Sequence, residues 1–561
     1  MSKVVLLAIN SKYVHSALSV WLLADGVNKY AHMPHDVKII EATIHQSDSE
    51  IAADIEAHEP DVVGISTYIW NATKLPGLLK LLKKQLQDSV FVLGGPEASY
   101  NADYWLNNGA DIVMHGEGER QFAVFLDTFE TKKLNMVKDL AALVTHGPIK
   151  AINREGIKAL SETWKTGLPE PSDPFNQVYI SNLKGRLAYL ETSRGCPYQC
   201  AFCLSGGSKL RFFPLEMAKE QLYKLSHSRA KTVKLIDRTF NCDPKRAYNL
   251  FEYVVSLDTN CCFHFEVAAD LFDERSLNLL STAPPGRIQF EAGLQSYHEP
   301  TLKAVSRKAD LAKTDKNIQA LLAHGNIHVH VDLIAGLPYE TLSIFKDGFN
   351  RAYKLGAHDL QLGFLKLLHG SALRQQAAGL GILYQDAPPY EIICSPWLST
   401  QDIRILKQTE NALRNTHNKS RFLSAIDYVL SATKLTPFEL FQKLGEIAEN
   451  HGLPLEIYAK MIHDCFLSMP GTDMDKLQSY MICDWLTMVR GKNMPIFLRR
   501  PDNRRKELIA KIEKEIGRTI GREEVAFLPS GESVFVDVND RDIVTGLYKL
   551  HRQRHPNTDS N

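Results

Sequence analysis

The sequence lacks several features that would assign a protein class at once. It has no formal net charge, because Lys plus Arg and Asp plus Glu both number 65. No cysteine precedes Cys196, and no internal repeat or low-complexity tract is visible. The apolar run at the amino terminus, Val4–Ile9, is too short for a signal-peptide core or a membrane span. These absences predict a cytoplasmic protein without a membrane, and they make a nucleic-acid partner unlikely on charge alone.

What the chain does have is the size and composition of a protein with several cores. Its 561 residues exceed what one core usually serves, and 44% of them are hydrophobic against 23% charged. Nine cysteines in a cytoplasmic chain are better explained as ligands, catalytic groups or core residues than as disulfides. We expect domains at residues 1–135, 183–370 and 371–561, with a linker at 136–182.

The first of these domains has apolar strands alternating with amphipathic helices. That rhythm predicts a Rossmann-like, doubly wound parallel sheet, in which ligands lie beyond the carboxyl ends of the strands. Glycines cluster at two of these ends, at Gly94-Gly95 and around Gly116. The predicted strands are Val4–Ile9, Val37–Ala42, Val62–Ser66, Val90–Gly94 and Ile112–His115.

Further along, the pattern predicts six strand-helix units and then mostly helices. The expected fold class is therefore α/β: an N-terminal Rossmann-like doubly wound parallel sheet, a central partial (β/α)6 barrel and a mostly helical C-terminal domain. The linker should contain a small hairpin near Ile149–Ile157, and a strand pair at Val525–Leu528 and Ser533–Val538 should precede a closing helix. The six strands are predicted at Leu187–Glu191, Val233–Ile236, Cys262–Val267, Ile288–Ala292, His328–Ile334 and Leu360–Phe364.

Three cysteines, Cys196, Cys200 and Cys203, follow the first barrel strand at CxxxCxxC spacing. A structural zinc site would need a fourth protein ligand, and no cysteine or histidine nearby in the sequence clearly supplies one. Three thiolates instead suit a 4Fe-4S cluster with one open iron. The alternative is that these three are core cysteines whose spacing arises by chance. A place in the core is the role expected for most of the other six cysteines.

This loop resembles the signature of the radical S-adenosylmethionine (SAM) superfamily, which has an aromatic residue before the last cysteine, here Phe202. The resemblance implies a barrel of the radical SAM type, a 4Fe-4S cluster and bound SAM. In the family a Gly-Gly-Glu stretch holds the methionyl amino group, and here Ser208 follows Gly206-Gly207. The SAM-binding residues that the resemblance implies are Phe202, Gly206, Gly207, Glu266, Glu291, Gln295, Ser296 and Gly336.

A doubly wound domain directly before such a barrel is similar to the cobalamin-binding class of the superfamily, here with a C-terminal extension of uncharacterised type. Some members donate a histidine to cobalt from an Asp-x-His-x-x-Gly loop, and this chain has His15 in that loop without the aspartate or the glycine. The histidine either ligates cobalt or only begins a helix. The cobalamin-binding residues implied are His15, Ser66, Thr67, Gly94, Gly95, Pro96, Glu97, Gly116, Glu117 and Gly118.

The resemblance implies an enzyme that methylates or rearranges an unactivated carbon, with a low-potential electron donor such as flavodoxin or ferredoxin as partner. A cobalamin-independent radical SAM enzyme, carrying out cyclisation, isomerisation or methylthiolation, is the alternative. Methylthiolation is disfavoured because such enzymes usually have three further cysteines at the amino terminus. An iron-sulfur sensor is a third possibility.

The segment Asp237-Arg238-Thr239 follows the second barrel strand, and it either lines the substrate cavity or forms a salt bridge at the barrel end. The sequence does not identify the substrate.

Overall fold

The computed structural model describes residues 1–132, 170–447 and 453–553. The hairpin predicted near Ile149–Ile157 lies outside these residues. The chain divides into two compact units. The first comprises Met1–Glu266, Val305–Arg307 and Lys366–Ile393, and the second comprises Val267–Ala304, Lys308–Leu365 and Cys394–Asn561. The domain boundaries proposed from the sequence remain predictions.

The first unit begins with a five-stranded parallel sheet in the order β2-β1-β3-β4-β5. Its strands are β1 (Lys3–Asn10), β2 (Asp36–Thr43), β3 (Val62–Ser66), β4 (Val90–Gly94) and β5 (Ile112–Val113). The strand order reverses between β1 and β3, so the ligand crevice of such a sheet opens beyond their carboxyl ends. This confirms the predicted Rossmann-like domain.

Helices cover this sheet because their apolar faces pack onto its buried strands. Residues from Val5 in β1 to Trp105 after β4 form one core. The helix Asp48–Glu56 begins at a capping box between Ser47 and Glu50. The helices of this part are Leu18–Tyr30, Asp48–Glu56, Leu75–Gln85, Pro96–Tyr100, Ala102–Asn107 and Gly118–Lys132.

The rest of the first unit contains the first half of the predicted barrel. Strands β6 (Ala188–Leu190), β9 (Thr232–Leu235) and β10 (Cys262–Val267) are parallel neighbours in that order. A small antiparallel pair, β7 (Ser193–Arg194) and β8 (Arg211–Phe212), frames the cysteine loop. The helices are Gln177–Ser181, Leu215–Ser226, Pro244–Ser256 and Ala372–Gln376, with a 3₁₀ turn at Phe240–Cys242.

The second unit contains the other three barrel strands, β11 (Ile288–Gln295), β12 (His328–Ala335) and β13 (Asp359–Phe364), again parallel neighbours. Exposure alternates along β11 and β12, with apolar residues on the fully buried face. All six predicted barrel strands are therefore present, three in each unit. The accompanying helices are Glu274–Ser281, Glu299–Ala304, Leu311–Leu322 and Leu342–Tyr353, with a 3₁₀ turn at Ala269–Leu271.

The C-terminal part is mostly helical, as predicted, and Thr436 accepts a hydrogen bond from the backbone N–H of Glu439 as a helix cap. Short strands occur at β14 (Leu383–Tyr384), β15 (Ile392–Cys394) and β16 (Val525–Phe527). The helices are Thr400–Asn415, Leu423–Ala432, Pro437–Ile447, Leu455–Leu467, Met474–Met488 and Arg505–Ile516, with 3₁₀ turns at His417–Lys419, Ile496–Leu498 and Arg522–Glu524.

The predicted closing helix is wrong. After β17 (Ser533–Arg541), the chain turns back sharply, because the N–H of Gly546 bonds to the carbonyl of Asp542. It then forms β18 (Tyr548–Gln553), which is antiparallel to β17. The apolar residues before and after this turn are spaced as they would be in a helix. The prediction failed because the turn interrupts that spacing. Within the part of the chain that the structure describes, no helix is long and apolar enough to cross a membrane.

Candidate functional site

The strand that leads into the cysteine loop is held by the buried carboxylate of Asp237, which follows β9. This carboxylate accepts hydrogen bonds from the N–H of Thr192 (3.0 Å), its hydroxyl (2.8 Å) and the hydroxyl of Ser193 (2.5 Å). Burial raises the pKa of Asp237, and these hydrogen bonds oppose that shift. Asp237 therefore positions the strand that leads into the cysteine loop, and a role of residues 237–239 in a substrate cavity remains a prediction.

Each cysteine of the loop has a polar neighbour at its sulfur. The backbone N–H of Ser205 donates to Sγ of Cys203 at 3.4 Å, and Nη1 of Arg307 donates to Sγ of Cys200 at 3.7 Å. The hydroxyl of Thr239 lies 3.7 Å from Sγ of Cys196. All nine cysteines are free thiols. Two of the three sulfurs therefore accept hydrogen bonds from the protein, and sulfur ligands of this kind are the ones that hold an iron-sulfur cluster.

The middle of the loop is fixed by backbone hydrogen bonds to two distant segments. The N–H of Ala201 donates to the carbonyl of Val305 at 2.9 Å, and the N–H of Leu373 donates to the carbonyl of Ala201 at 2.8 Å. The loop is thus bound on both sides by chain that lies more than 100 residues downstream. Its geometry does not depend on the cysteines alone.

A buried charge network joins this loop to the Rossmann-like sheet. Arg194, two residues before Cys196, lies 2.7 Å from Glu117, 2.8 Å from Glu119 and 2.7 Å from Glu191. Arg211 lies 2.7 Å from the same oxygen of Glu117. Burial alone would lower the pKa of Arg194, but the hydrogen bond to Glu191 and the charges of Glu191 and Glu119 raise it. The loop after β5 and the cysteine loop are therefore held together electrostatically.

The glycines predicted to hold cobalamin lie at the carboxyl ends of β4 and β5, on the same side of the sheet as the crevice beyond β1 and β3. Gly95 has φ +96, and a Cβ there would lie 2.6 Å from the carbonyl oxygen of Thr67, so the turn requires glycine. Nothing lies within 4 Å of the position that a Cβ would take at Gly116. Ser66 and Thr67 are buried beside them. The hydroxyl of Thr67 is buried without a hydrogen-bond partner among the described residues.

Other members of the predicted cobalamin set are engaged with protein groups. Pro96 begins a short helix, and Glu97 beside it accepts a 2.5 Å hydrogen bond from the hydroxyl of Tyr390. Burial raises the pKa of Glu97, and the Tyr390 hydrogen bond opposes that shift. Gly118 begins the helix that carries Glu119. A cobalamin contact from Pro96, Glu97, Glu117 or Gly118 remains a prediction.

His15 lies in the loop after β1, as predicted, and its Nδ1 is 2.6 Å from the hydroxyl of Tyr189 in β6. The carbonyl of His15 accepts hydrogen bonds from the guanidinium of Arg186. Burial, followed by the positive charge of Lys12, lowers the pKa of His15. This favours the neutral imidazole that a metal ligand requires. Whether His15 binds cobalt remains a prediction.

The predicted SAM-binding residues are divided between the two units. In the first, Phe202, Gly206 and Gly207 lie in the cysteine loop, with both glycines exposed. A Cβ at Gly206 would lie 2.9 Å from the carbonyl of Cys200, so the loop folds tightly back on itself there. Glu266 is the penultimate residue of β10, and its Oε1 lies 3.9 Å from Nζ of Lys234.

In the second unit, Gln295 and Ser296 lie at the carboxyl end of β11, and Gly336 follows β12. The hydroxyl of Ser296 donates to the buried carboxylate of Glu340. Burial raises the pKa of Glu340 to about 7, and the hydrogen bond from Ser296 opposes that shift. Glu291 lies four residues before the end of β11, in the middle of the strand. The SAM contacts of these residues remain predictions.

Several residues beside the predicted sites of the two units were not predicted from the sequence. Arg194 stands two residues before the cysteine motif, and its position between an apolar strand and the first ligand was an available signal. His330 and Asp332 alternate with valine in β12, which places both on one face of the strand. No local pattern identifies Arg307 or Tyr390, because they reach the site only through the folding of distant segments.

Comparison with known proteins identifies the domains around this geometry. A family model of the B12-binding domain matches residues 4–126, and the model of the radical SAM superfamily matches residues 190–351. The chain therefore contains a B12-binding domain followed by a radical SAM domain. A third model, a protein family of unknown function (DUF4080), matches residues 379–525.

Two relatives with assigned activities are similar to this chain over much of its length. The cobalamin-dependent radical SAM methyltransferase TokK of Streptomyces tokunonensis is 24% identical over 81% of this chain and 70% of its own. The 2-(S-pantetheinyl)-carbapenam-3-carboxylate methyltransferase of Streptantibioticus cattleyicolor is 26% identical over 55% of this chain and 47% of its own. The chain thus spans about half of the second relative.

A solved structure shows the same fold. The radical SAM methyltransferase TsrM from Kitasatospora setae, with cobalamin and a 4Fe-4S cluster bound, has a TM-score of 0.52 at 17% identity. The match covers 70% of this chain and 79% of TsrM. The B12-binding domain at residues 4–126 and the radical SAM domain at residues 190–351 are the domains that cobalamin and, with SAM, a 4Fe-4S cluster require.

The residues present fit two of these cofactors. Cys196, Cys200 and Cys203 would hold the cluster, because each sulfur has a polar neighbour and no fourth thiol belongs to the motif. The space at Gly116 and the orphaned hydroxyl of Thr67 suit a ligand lying across the carboxyl ends of β3 and β5. Cobalamin would occupy that crevice.

Proposed function

We propose that this enzyme methylates an unactivated carbon in a cobalamin-dependent radical reaction. The observation that carries the proposal is the network of Arg194 with Glu117 and Glu119, which joins the strand before Cys196 to the loop after β5. Methyl transfer to a substrate radical needs the methyl donor and the hydrogen-abstracting group at one substrate. A fixed connection between the crevice of the sheet and the cysteine loop meets that need.

When bound, the cluster would supply the one electron that cleaves SAM into methionine and a deoxyadenosyl radical, and cobalamin would supply the methyl group. The protein orients them. Asp237 fixes the entry to the cysteine loop, and Arg307 and the N–H of Ser205 stabilise charge at two sulfurs. Arg194 keeps the loop beside the sheet, so the two halves of the reaction stay together.

The names of the two relatives support methylation over the alternatives, since both are methyltransferases. Rearrangement by the same cofactors is the second outcome to test. A cobalamin-independent reaction is disfavoured by the match of residues 4–126 to the B12-binding domain. For reduction of the cluster we propose a flavodoxin or ferredoxin, and we propose that the enzyme works in the cytoplasm, where free thiols persist.

The test is an anaerobic assay of cluster-loaded, full-length protein with a chemical reductant and SAM that carries a deuterated methyl group. We expect S-adenosylhomocysteine and 5′-deoxyadenosine to form, with S-adenosylhomocysteine only in the cobalamin-loaded sample. The matched control is the same preparation without cobalamin. Formation of 5′-deoxyadenosine alone in both samples contradicts methylation and supports the rearranging or cobalamin-independent alternative.

A further inference from the structure

Three side chains with metal-binding atoms converge in the second unit, on two neighbouring strands. They are Glu291 of β11 and His330 and Asp332 of β12, and one ligand atom from each lies within 4.8 Å of the other two. The strand register pairs Glu291 with His330, and residues 330 and 332 share a face because side chains alternate along a strand. Regular β-structure therefore fixes all three positions, without any contribution from loops.

The contact between His330 and Asp332 does not have the geometry of an ordinary hydrogen bond. Nε2 of His330 lies 2.9 Å from Oδ1 of Asp332. Both atoms are shielded from solvent, and among the described residues neither has a hydrogen-bond partner. The contact is an ion pair only when the imidazole is protonated, and a neutral imidazole leaves both buried atoms unsatisfied, which is costly. A cation shared by the nitrogen and the oxygen would satisfy both.

The residues next to His330 and Asp332 on the same face of the sheet differ on the two sides of this pair. The register partner of Asp332 is Gly293, which has no side chain to cover the carboxylate. One level earlier on the same face, Gln289 and His328 are hydrogen-bonded at 3.2 Å, and the ring of His328 stacks on that of His358. His328 is thus satisfied by protein groups, which makes it a natural comparison for His330.

We propose that Glu291, His330 and Asp332 bind a divalent transition-metal ion such as Zn²⁺ or Mn²⁺. One imidazole and two carboxylates are the nitrogen and oxygen ligands that these ions accept, whereas Mg²⁺ and Ca²⁺ prefer oxygen alone. Three protein ligands leave at least one coordination position for water or a substrate oxygen. The site contains no thiolate, so its ligands differ from those of the cysteine loop. It also gives Glu291 a role other than SAM binding.

The test uses full-length protein with its iron-sulfur cluster loaded, titrated with Zn²⁺ against a fluorescent zinc indicator of known affinity. Zinc and iron are then measured by mass spectrometry in the same gel-filtered sample. We expect about one zinc per wild-type chain at unchanged iron content. His330→Gln, Asp332→Asn and Glu291→Gln should each weaken zinc binding by roughly tenfold or more.

The matched control is His328→Gln, a histidine on the same strand and face, which should bind zinc like the wild type. Thermal unfolding guards against a folding defect: zinc should raise the midpoint of the wild type and of His328→Gln, but not that of the three ligand variants. Equal zinc uptake by wild type and Asp332→Asn, or no zinc-dependent shift in the wild type, overturns the proposal and leaves a simple ion pair. Zinc uptake matched by loss of iron overturns it too.

Discussion

Arg194 and Glu117 form an ion pair with an N–O distance of 2.7 Å across 77 residues of sequence. One lies two residues before the cysteine motif, and the other belongs to the loop that the sequence assigned to cobalamin. The pair is partly shielded, with the Arg194 side chain 24% exposed and that of Glu117 23% exposed. This contact lets the strand before the iron ligands and the end of β5 hold each other in place.

Replacing Arg194 by glutamine should destabilise the enzyme, because Glu119, Glu117 and Glu191 would keep their negative charges without the guanidinium. Breaking one side of a buried pair typically costs about 3 to 5 kcal/mol, and partial exposure places this one near the lower end. Urea unfolding measures the loss. The control is the exposed Arg229→Gln, which should be nearly neutral. Equal midpoints for the two variants would show that the network contributes little.

Replacing Cys196, Cys200 or Cys203 by alanine should remove most of the iron and all reductive cleavage of SAM, since each thiolate binds one iron. Iron content and 5′-deoxyadenosine formation report the two losses. Cys465 is the matched control, because burial raises the pKa of its thiol to about 11 and it lies on the C-terminal helix Leu455–Leu467. If Cys465→Ala loses iron as the three variants do, the cluster assignment fails.

A bulky side chain at Gly94 should block cobalamin while sparing the fold. A Cβ at Gly94 meets only the carbonyl of Met114, at 3.9 Å, so a side chain can start there without a clash with the strand. Gly95 is a poorer probe, because any side chain there collides with Thr67 whether or not cobalamin binds. We expect Gly94→Leu to lower cobalamin affinity by about tenfold or more. The absorbance of bound cobalamin measures this, with the exposed Lys84→Leu as control. Full uptake by Gly94→Leu would remove the crevice assignment.

Glu266→Gln should keep the cluster but weaken SAM. Loss of a hydrogen-bonded carboxylate typically costs about 1 to 3 kcal/mol, or roughly five- to hundredfold in affinity. Equilibrium binding of SAM to cluster-loaded protein measures it, and iron content shows that the cluster is intact. Glu274→Gln, on a solvent-facing helix start, is the control. Unchanged affinity would make Glu266 a surface carboxylate whose contact is with Lys234.

Glu340 should make stability depend on pH. Burial raises its pKa to about 7 from the ordinary value of 4.5, so the folded state retains a proton that the unfolded state has lost. Its contribution to stability is therefore complete below pH 4.5 and is lost as the pH rises through about 7, a difference of about 3 kcal/mol. Urea midpoints at pH 5 and pH 8 should differ less in Glu340→Gln than in wild type. An identical pH dependence in both proteins contradicts this assignment.

Features of this enzyme that depend on residues close in sequence could be predicted, whereas contacts between residues distant in sequence could not. Strands such as Val4–Ile9 and Cys262–Val267 were predicted almost to the residue because local apolar periodicity determines them. The cysteine loop was predicted because its three cysteines lie close together in the sequence, so their spacing can be recognised without the structure. The closing helix was wrong because a turn at Asp542–Gly546 interrupts an apolar pattern that otherwise suits a helix. The partners of Glu97, Glu117 and Cys200 were missed, because Tyr390, Arg194 and Arg307 are distant in sequence from them.

The two backbone hydrogen bonds at Ala201 have a consequence for biosynthesis. Val305 and Leu373 complete the cysteine loop, so a nascent chain that ends before residue 373 carries its three cysteines without the segments that fix them. The geometry of the loop is thus complete only when the segment that contains Leu373 has been synthesised and has folded against it.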